Sequence, residues 1–156
     1  MQSFQLVGLP PNPFESYFNL TDSQLATVGA RRVIAQKKPG YPCRISLVDA
    51  EPGEELLLLP YRHQAANSPY EASGPIYVRR GATQRIADVG EIPDYVLGRL
   101  ISVRGYDELD MMIEADVCEG PKVEAEIERQ LQNAEVRYIH LHNAKRGCYS
   151  CLVQRV

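Results

Sequence analysis

The sequence has no apolar stretch near the roughly 18 residues that a membrane span needs. Its first residues, Met1 to Pro10, lack a basic region and end in proline, so neither a spanning helix nor a signal peptide is expected. Positive charge is not in excess. Seventeen Lys and Arg stand against 20 Asp and Glu, a formal net charge of −3, which gives no overall attraction to nucleic acid or to an anionic membrane. Cysteine is sparse, four in 156 residues, without the dense spacing of a disulfide scaffold, so free thiols and a cytoplasmic location are expected. Repeats, low-complexity tracts and linkers are also missing, and residues 1–156 read as a single domain. A chain of this length buries roughly 70% of its unfolded surface and needs no disulfide or metal to fold.

What is present is an α+β pattern. Residues 4–9, 31–36, 43–48, 55–61, 76–80, 97–104 and 111–119 read as strands, and the four consecutive leucines from Leu56 to Leu59 suggest a strand buried on both sides. Thr21 and Gln24 have the spacing of a capping box, so a short helix should run to about Val28. Pro121 followed by Val123, Ile127 and Leu131 marks a second helix. With few strand–helix–strand alternations, the expected architecture is one mainly antiparallel sheet of seven or eight strands, free to curl into a half-barrel, with two helices. Residues 63–75, rich in Ser, Asn, Pro, Gly and Tyr, read as a long loop of the kind that carries function.

The last twenty-odd residues form the centre of the functional reading. Residues 136–142 and 148–155 pattern as two strands joined by a five-residue turn, a C-terminal β-hairpin. Side chains alternate faces, so Val136, Tyr138, His140 and His142 share one face. If the turn closes symmetrically, His142 lies opposite Cys148 and His140 opposite Ser150, and a slip of one residue replaces Cys148 with Tyr149.

Two imidazoles two residues apart on a strand stand about 7 Å apart and can reach one divalent transition metal, Zn or Fe, if a third ligand converges. The candidates are Cys148, His63, or Glu114 and Asp116. The plainer alternative leaves both histidines hydrogen-bonded on a polar sheet face. Without metal, His140 or His142 would act as general base for Cys148 or Ser150, with backbone N–H groups of residues 145–147 as anion donors. Cys148-x-x-Cys151 is a poor redox or zinc pair, because strand positions three apart face opposite sides, and Cys151 reads as a small core residue. Arg44, His63, Tyr70, Ser73 and Asn143 join the site if the 63–75 loop packs over the hairpin, with Arg44 clamping a carboxylate or phosphate. The alternative for Arg44 is a surface salt bridge. The basic run from Arg79 to Arg85 has no interleaved stacking aromatics, which argues against nucleic acid.

Taken in order, Pro42-Cys43-Arg44, Asp49-Ala-Glu-Pro-Gly-Glu54, Ser68-Pro-Tyr-Glu-Ala-Ser-Gly-Pro-Ile-Tyr-Val-Arg79, Arg104-Gly-Tyr-Asp107 and His140-Leu-His-Asn-Ala144 with Gly147-Cys148 resemble a bacterial family catalogued as domain of unknown function 1203. The resemblance implies a standalone domain and no particular activity. The functional expectation is a small-molecule-binding protein or enzyme acting on a small anionic molecule. Its catalytic residues would be His140, His142 and Cys148, beneath the 63–75 loop. The competing expectation is a non-catalytic module that forms a homodimer or binds a protein partner.

Overall fold

The strands build two separate sheets. The computed structural model describes residues 2–156. In chain order the elements are β1 (Phe4–Val7), α1 (Asn12–Glu15), α2 (Asp22–Thr27), β2 (Arg31–Ile34), β3 (Pro42–Cys43), β4 (Val48–Asp49), β5 (Glu55–Gln64), β6 (Ala72–Arg79), α3 (Asp94–Leu97), β7 (Leu100–Tyr106), β8 (Met112–Glu119), α4 (Val123–Leu131), β9 (Tyr138–Asn143) and β10 (Tyr149–Arg155). The first sheet has the order β1-β10-β9-β7-β8 and the second β2-β5-β6-β3-β4. All pairings are antiparallel except β3 with β6. The fold is therefore α+β with two five-stranded sheets, where the sequence suggested one larger sheet.

The first sheet packs one face on α4. Val123, Ile127 and Leu131 recur every four residues, which places them on one stripe of the helix, and they meet Ile101, Val103, Ile139, Leu141 and Val153. Pro121 lies in a 3-10 turn just before α4, two residues ahead of the helix proper. In the second sheet the leucine run divides as alternation requires. Leu57 and Leu59 enter one core cluster and Leu56 another, so β5 is covered on both faces. The capping box of α2 forms as its spacing predicts: Gln24 N donates to Thr21 Oγ1 at 3.2 Å and Thr21 N donates to Gln24 Oε1 at 2.9 Å. The Arg79–Arg85 run is spent on local pairs, Arg79 with Glu54, Arg80 with Glu55 and Arg85 with Glu91.

Two segments depart from the sequence expectation. Residues 44–47 form a turn instead of continuing a strand, with Leu47 at a positive φ of 55°. The 63–75 loop is shorter than its composition implied, because β5 continues to Gln64 and β6 begins at Ala72, leaving residues 65–71. Gly74 and Pro75 are poor strand formers alone, but they are held opposite Tyr61 and Pro60 by the register of β5.

The chain crosses between the sheets at Gly8, whose N–H donates to Arg85 O at 2.8 Å while Leu9 N–H donates to Arg44 O at 2.8 Å. A Cβ at Gly8 would overlap the Ile45 carbonyl oxygen, and both partners are backbone. Gly8→Ala should therefore lower stability by about 1–3 kcal/mol, read as an earlier urea midpoint with an unchanged slope. Among the described residues no helix is long and apolar enough to cross a membrane.

Candidate functional site

Cross-strand register decides which side chains meet. On the face of the first sheet away from α4, His140 stands opposite Arg104, His142 opposite Ser102 and Tyr138 opposite Tyr106. The hairpin register is the slipped one: His142 faces Tyr149, and a β-bulge between Tyr149 and Cys151 then sets His140 opposite Leu152. A second bulge, between Tyr61 and Gln64 in β5, brings His63 onto the same face. The three histidines surround the buried Tyr149 ring. His63 stacks on it at 5.5 Å, while His140 and His142 meet it edge-on at 5.1 and 5.8 Å.

Burial holds these imidazoles neutral. It drives the His140 pKa down to about 3, with lesser contributions from His142, His63 and Arg104. The same cause lowers His142 to about 4, opposed by a hydrogen bond to Gly147 O at 2.9 Å. That bond fixes the proton on Nδ1 and leaves Nε2 as the acceptor. His63 is lowered too, by desolvation first and Arg104 second. Each ring keeps a buried nitrogen without a partner: His63 Nδ1, His140 Nδ1 and His142 Nε2.

Beside them, Gln64 Nε2 donates to Tyr138 Oη at 2.9 Å, and Tyr138 Oη donates to Asp110 Oδ1 at 2.6 Å. Asp110 has a positive φ of 59°. Ser68 Oγ donates to Asp110 O at 2.9 Å, which ties the 65–71 loop to this edge, and Tyr70 meets the Tyr106 ring at 6.3 Å.

Arg44, Cys148 and Asn143 lie in a different place. Arg44 is 1% exposed and its guanidinium is engaged internally. Nε donates to Tyr149 O at 2.8 Å, Nη1 to Pro42 O at 2.6 Å and Nη2 to Cys148 Sγ at 3.3 Å. It therefore forms no surface salt bridge, and it fastens the β3 turn to the start of β10. Next to it is a cavity of about 530 Å³ between the sheets, where Lys37, Arg44, Arg99, Lys145 and Arg146 supply five cationic side chains and no carboxylate contributes. Asn143 and Cys148 complete that end, and Asn143 Oδ1 is buried without a partner. The hairpin turn is shaped by Gly147 at φ 78°, whose N–H donates to Asn143 O at 2.7 Å. A neighbouring cavity of about 520 Å³ has mixed charge: Arg99 pairs with Asp49 and Arg85 with Glu91 on its walls.

The family described as protein of unknown function (DUF1203) matches residues 40–155, about three quarters of the sequence. The chain belongs to the DUF1203 family. No curated protein and no solved structure matches it. In this DUF1203 chain the segments that carry the resemblance meet at the two clusters just described. Pro42, Arg44, Asn143 and Cys148 line the basic cavity, while His140, His142 and Arg104 share the aromatic face.

Several expected roles are corrected by this geometry. Imidazoles bound to one metal at about 2.0–2.1 Å in a tetrahedral set place their ring centres about 5 Å apart. His63 and His142 meet that at 4.9 Å, but His140 stands 6.4 Å from each of them. Glu114 and Asp116 lie opposite Gly105 and Val103, on the helix-covered face, and Cys148 lies across the hairpin beside Arg44. Among the described residues no group of three or more His, Cys, Asp or Glu is placed to hold a metal ion, so the third ligand expected beside His140 and His142 does not converge on them in this arrangement.

The base–nucleophile pairing also fails. Cys148 Sγ accepts from Arg44 and not from a histidine, and Ser150 Oγ donates to Tyr95 Oη at 2.8 Å inside the core. Ser73 is exposed on β6 beside a shallow groove with Gly29 and Arg31, and it lines neither the basic cavity nor the histidine face. Cys151 is a buried core residue whose thiol burial pushes up to about 12.

The cationic side chains of Lys37, Arg99, Lys145 and Arg146 were not recognised from sequence. The only signal in the sequence is the Lys145-Arg146 pair in the hairpin turn, where the expected anion donors are the backbone amides.

Proposed function

We propose that this protein binds a small anionic molecule in the cavity at the base of the C-terminal hairpin, with Lys37, Arg44, Lys145 and Arg146 as the charge that receives it. The observation that carries this reading is the excess of positive charge: five cations line about 530 Å³ with no carboxylate among the lining residues, and four of them, all but the Asp49-paired Arg99, have no carboxylate partner, in a chain whose formal net charge is −3. A cleft lined by one sign of charge between low-dielectric walls concentrates the opposite sign of ligand. A cytoplasmic location goes with this proposal, since all four cysteines are free and a reducing compartment suits them.

The test is titration calorimetry with inorganic phosphate, sulfate and citrate at low and high salt. Binding should weaken as salt rises, because the exposed Lys145 and Arg146 are screened. Lys145→Glu combined with Arg146→Glu should reduce affinity more than about tenfold without moving the melting temperature, since both lie on the exposed turn. An absence of heat with all three anions, or a double variant that binds as well as the parent, would refute the proposal.

A further inference from the structure

The two walls of that cavity differ in chemistry, and the difference narrows the ligand. We infer that the molecule bound there is an aromatic acid: a planar ring carrying a carboxylate or phosphate group. The inference rests on the anion-binding reading above and goes beyond it.

The second sheet and the segment leading into it supply one wall, formed by Tyr41, Pro42, Leu58, Pro75 and Tyr77. Tyr41 and Tyr77 are half-buried, with ring centres 5.4 Å apart at 58°, so they present two faces at an angle to each other. The opposite wall comes from the α3–β7 junction and the hairpin turn, with Arg99, Asn143, Lys145, Arg146 and Cys148. A bare inorganic ion would use only the cationic side. The cavity is in the volume range that drug-sized ligands fill, about 300–1,000 Å³, so it has room for a body as well as a charged head. Tyrosine and proline side chains give a flat, apolar surface with little rotamer entropy to lose, and a ring stacks on them better than a flexible chain does. The head then lies toward the opposite, cationic wall, where the exposed guanidinium of Arg146 suits a planar carboxylate or a phosphate.

The experiment compares benzoate, phenyl phosphate, cyclohexanecarboxylate and inorganic phosphate by calorimetry on the full chain, its Tyr77→Leu variant and its Tyr41→Leu variant. Benzoate and phenyl phosphate separate a carboxylate head from a phosphate head, and tighter binding of either supports the inference. The aromatic acid should bind about tenfold tighter than cyclohexanecarboxylate. Tyr77→Leu or Tyr41→Leu should erase that preference and leave inorganic phosphate binding in place. Equal affinity for the saturated and aromatic acids, or a preference that survives both substitutions, would overturn the aromatic inference alone. Failure of all four compounds, inorganic phosphate included, would overturn the anion site with it.

Discussion

Between pH 6.5 and pH 4 the protein is expected to lose on the order of 5 kcal/mol of folding stability, most of it through two histidines. Folded His140 and His142 have pKa values near 3 and 4 against 6.5 for the free side chain. In that window the unfolded chain holds two more protons than the folded one, so acid favours unfolding. The contribution is intact above pH 6.5 and disappears as pH falls toward the folded values. Two protons correspond to about 2.7 kcal/mol per pH unit between pH 6 and 5, where most carboxylates still keep their charge. Urea unfolding at successive pH values measures this slope directly. His140→Phe keeps a ring against Tyr106, Tyr138 and Tyr149 but takes up no proton, so it should halve the slope. A flat stability profile from pH 6.5 to 5 would show that the cluster opens to water and that its burial is not maintained in solution.

The elements behind that cluster were legible because their patterns are local. Alternation in residues 136–142 set His140 and His142 on one face whatever the partner strand did, and the Val123, Ile127 and Leu131 stripe could only be a helix. The leucine run and the Thr21–Gln24 box were equally self-contained. What could not be read was set by non-local geometry. The bulge between Tyr149 and Cys151 has no sequence signature, yet it moved Tyr149 onto the histidine face and put Cys148 beside Arg44. The β5 bulge that delivers His63 is of the same kind. Ser73 and the ends of the long loop lie in strands instead because pairing with β5 overrides the poor strand propensity of Gly74 and Pro75. The separation of one expected site into two clusters follows from having two sheets, since Arg44 lies in the turn after β3 while His140 and His142 project from the first sheet to meet His63 of β5.

Arg44 joins the two clusters, and its replacement should have the largest effect of any single charged residue. A buried guanidinium without a carboxylate partner suffers a desolvation penalty of several kcal/mol, so removing it is not simply a loss. Against that, three hydrogen bonds from a charged donor contribute about 1.5–3 kcal/mol each, and the carbonyls of Pro42 and Tyr149 would be left without this donor. The balance favours retention, and Arg44→Met, which keeps the length and apolar bulk, should destabilise the protein by about 3 kcal/mol. For a chain of this size that is a fall of about 6–12 °C in melting temperature. Arg44→Lys should recover little, because one ammonium cannot reach acceptors on both the β3 turn and β10 in the fork geometry that a guanidinium provides. Arg44→Met should also lose part of the stabilisation that phosphate gives the parent in a thermal melt, since the anion is then received by one cation fewer, whereas Arg44→Lys keeps that charge. An Arg44→Met protein as stable as the parent would mean that the desolvation penalty cancels the three bonds, and that some other contact holds the hairpin to the second sheet.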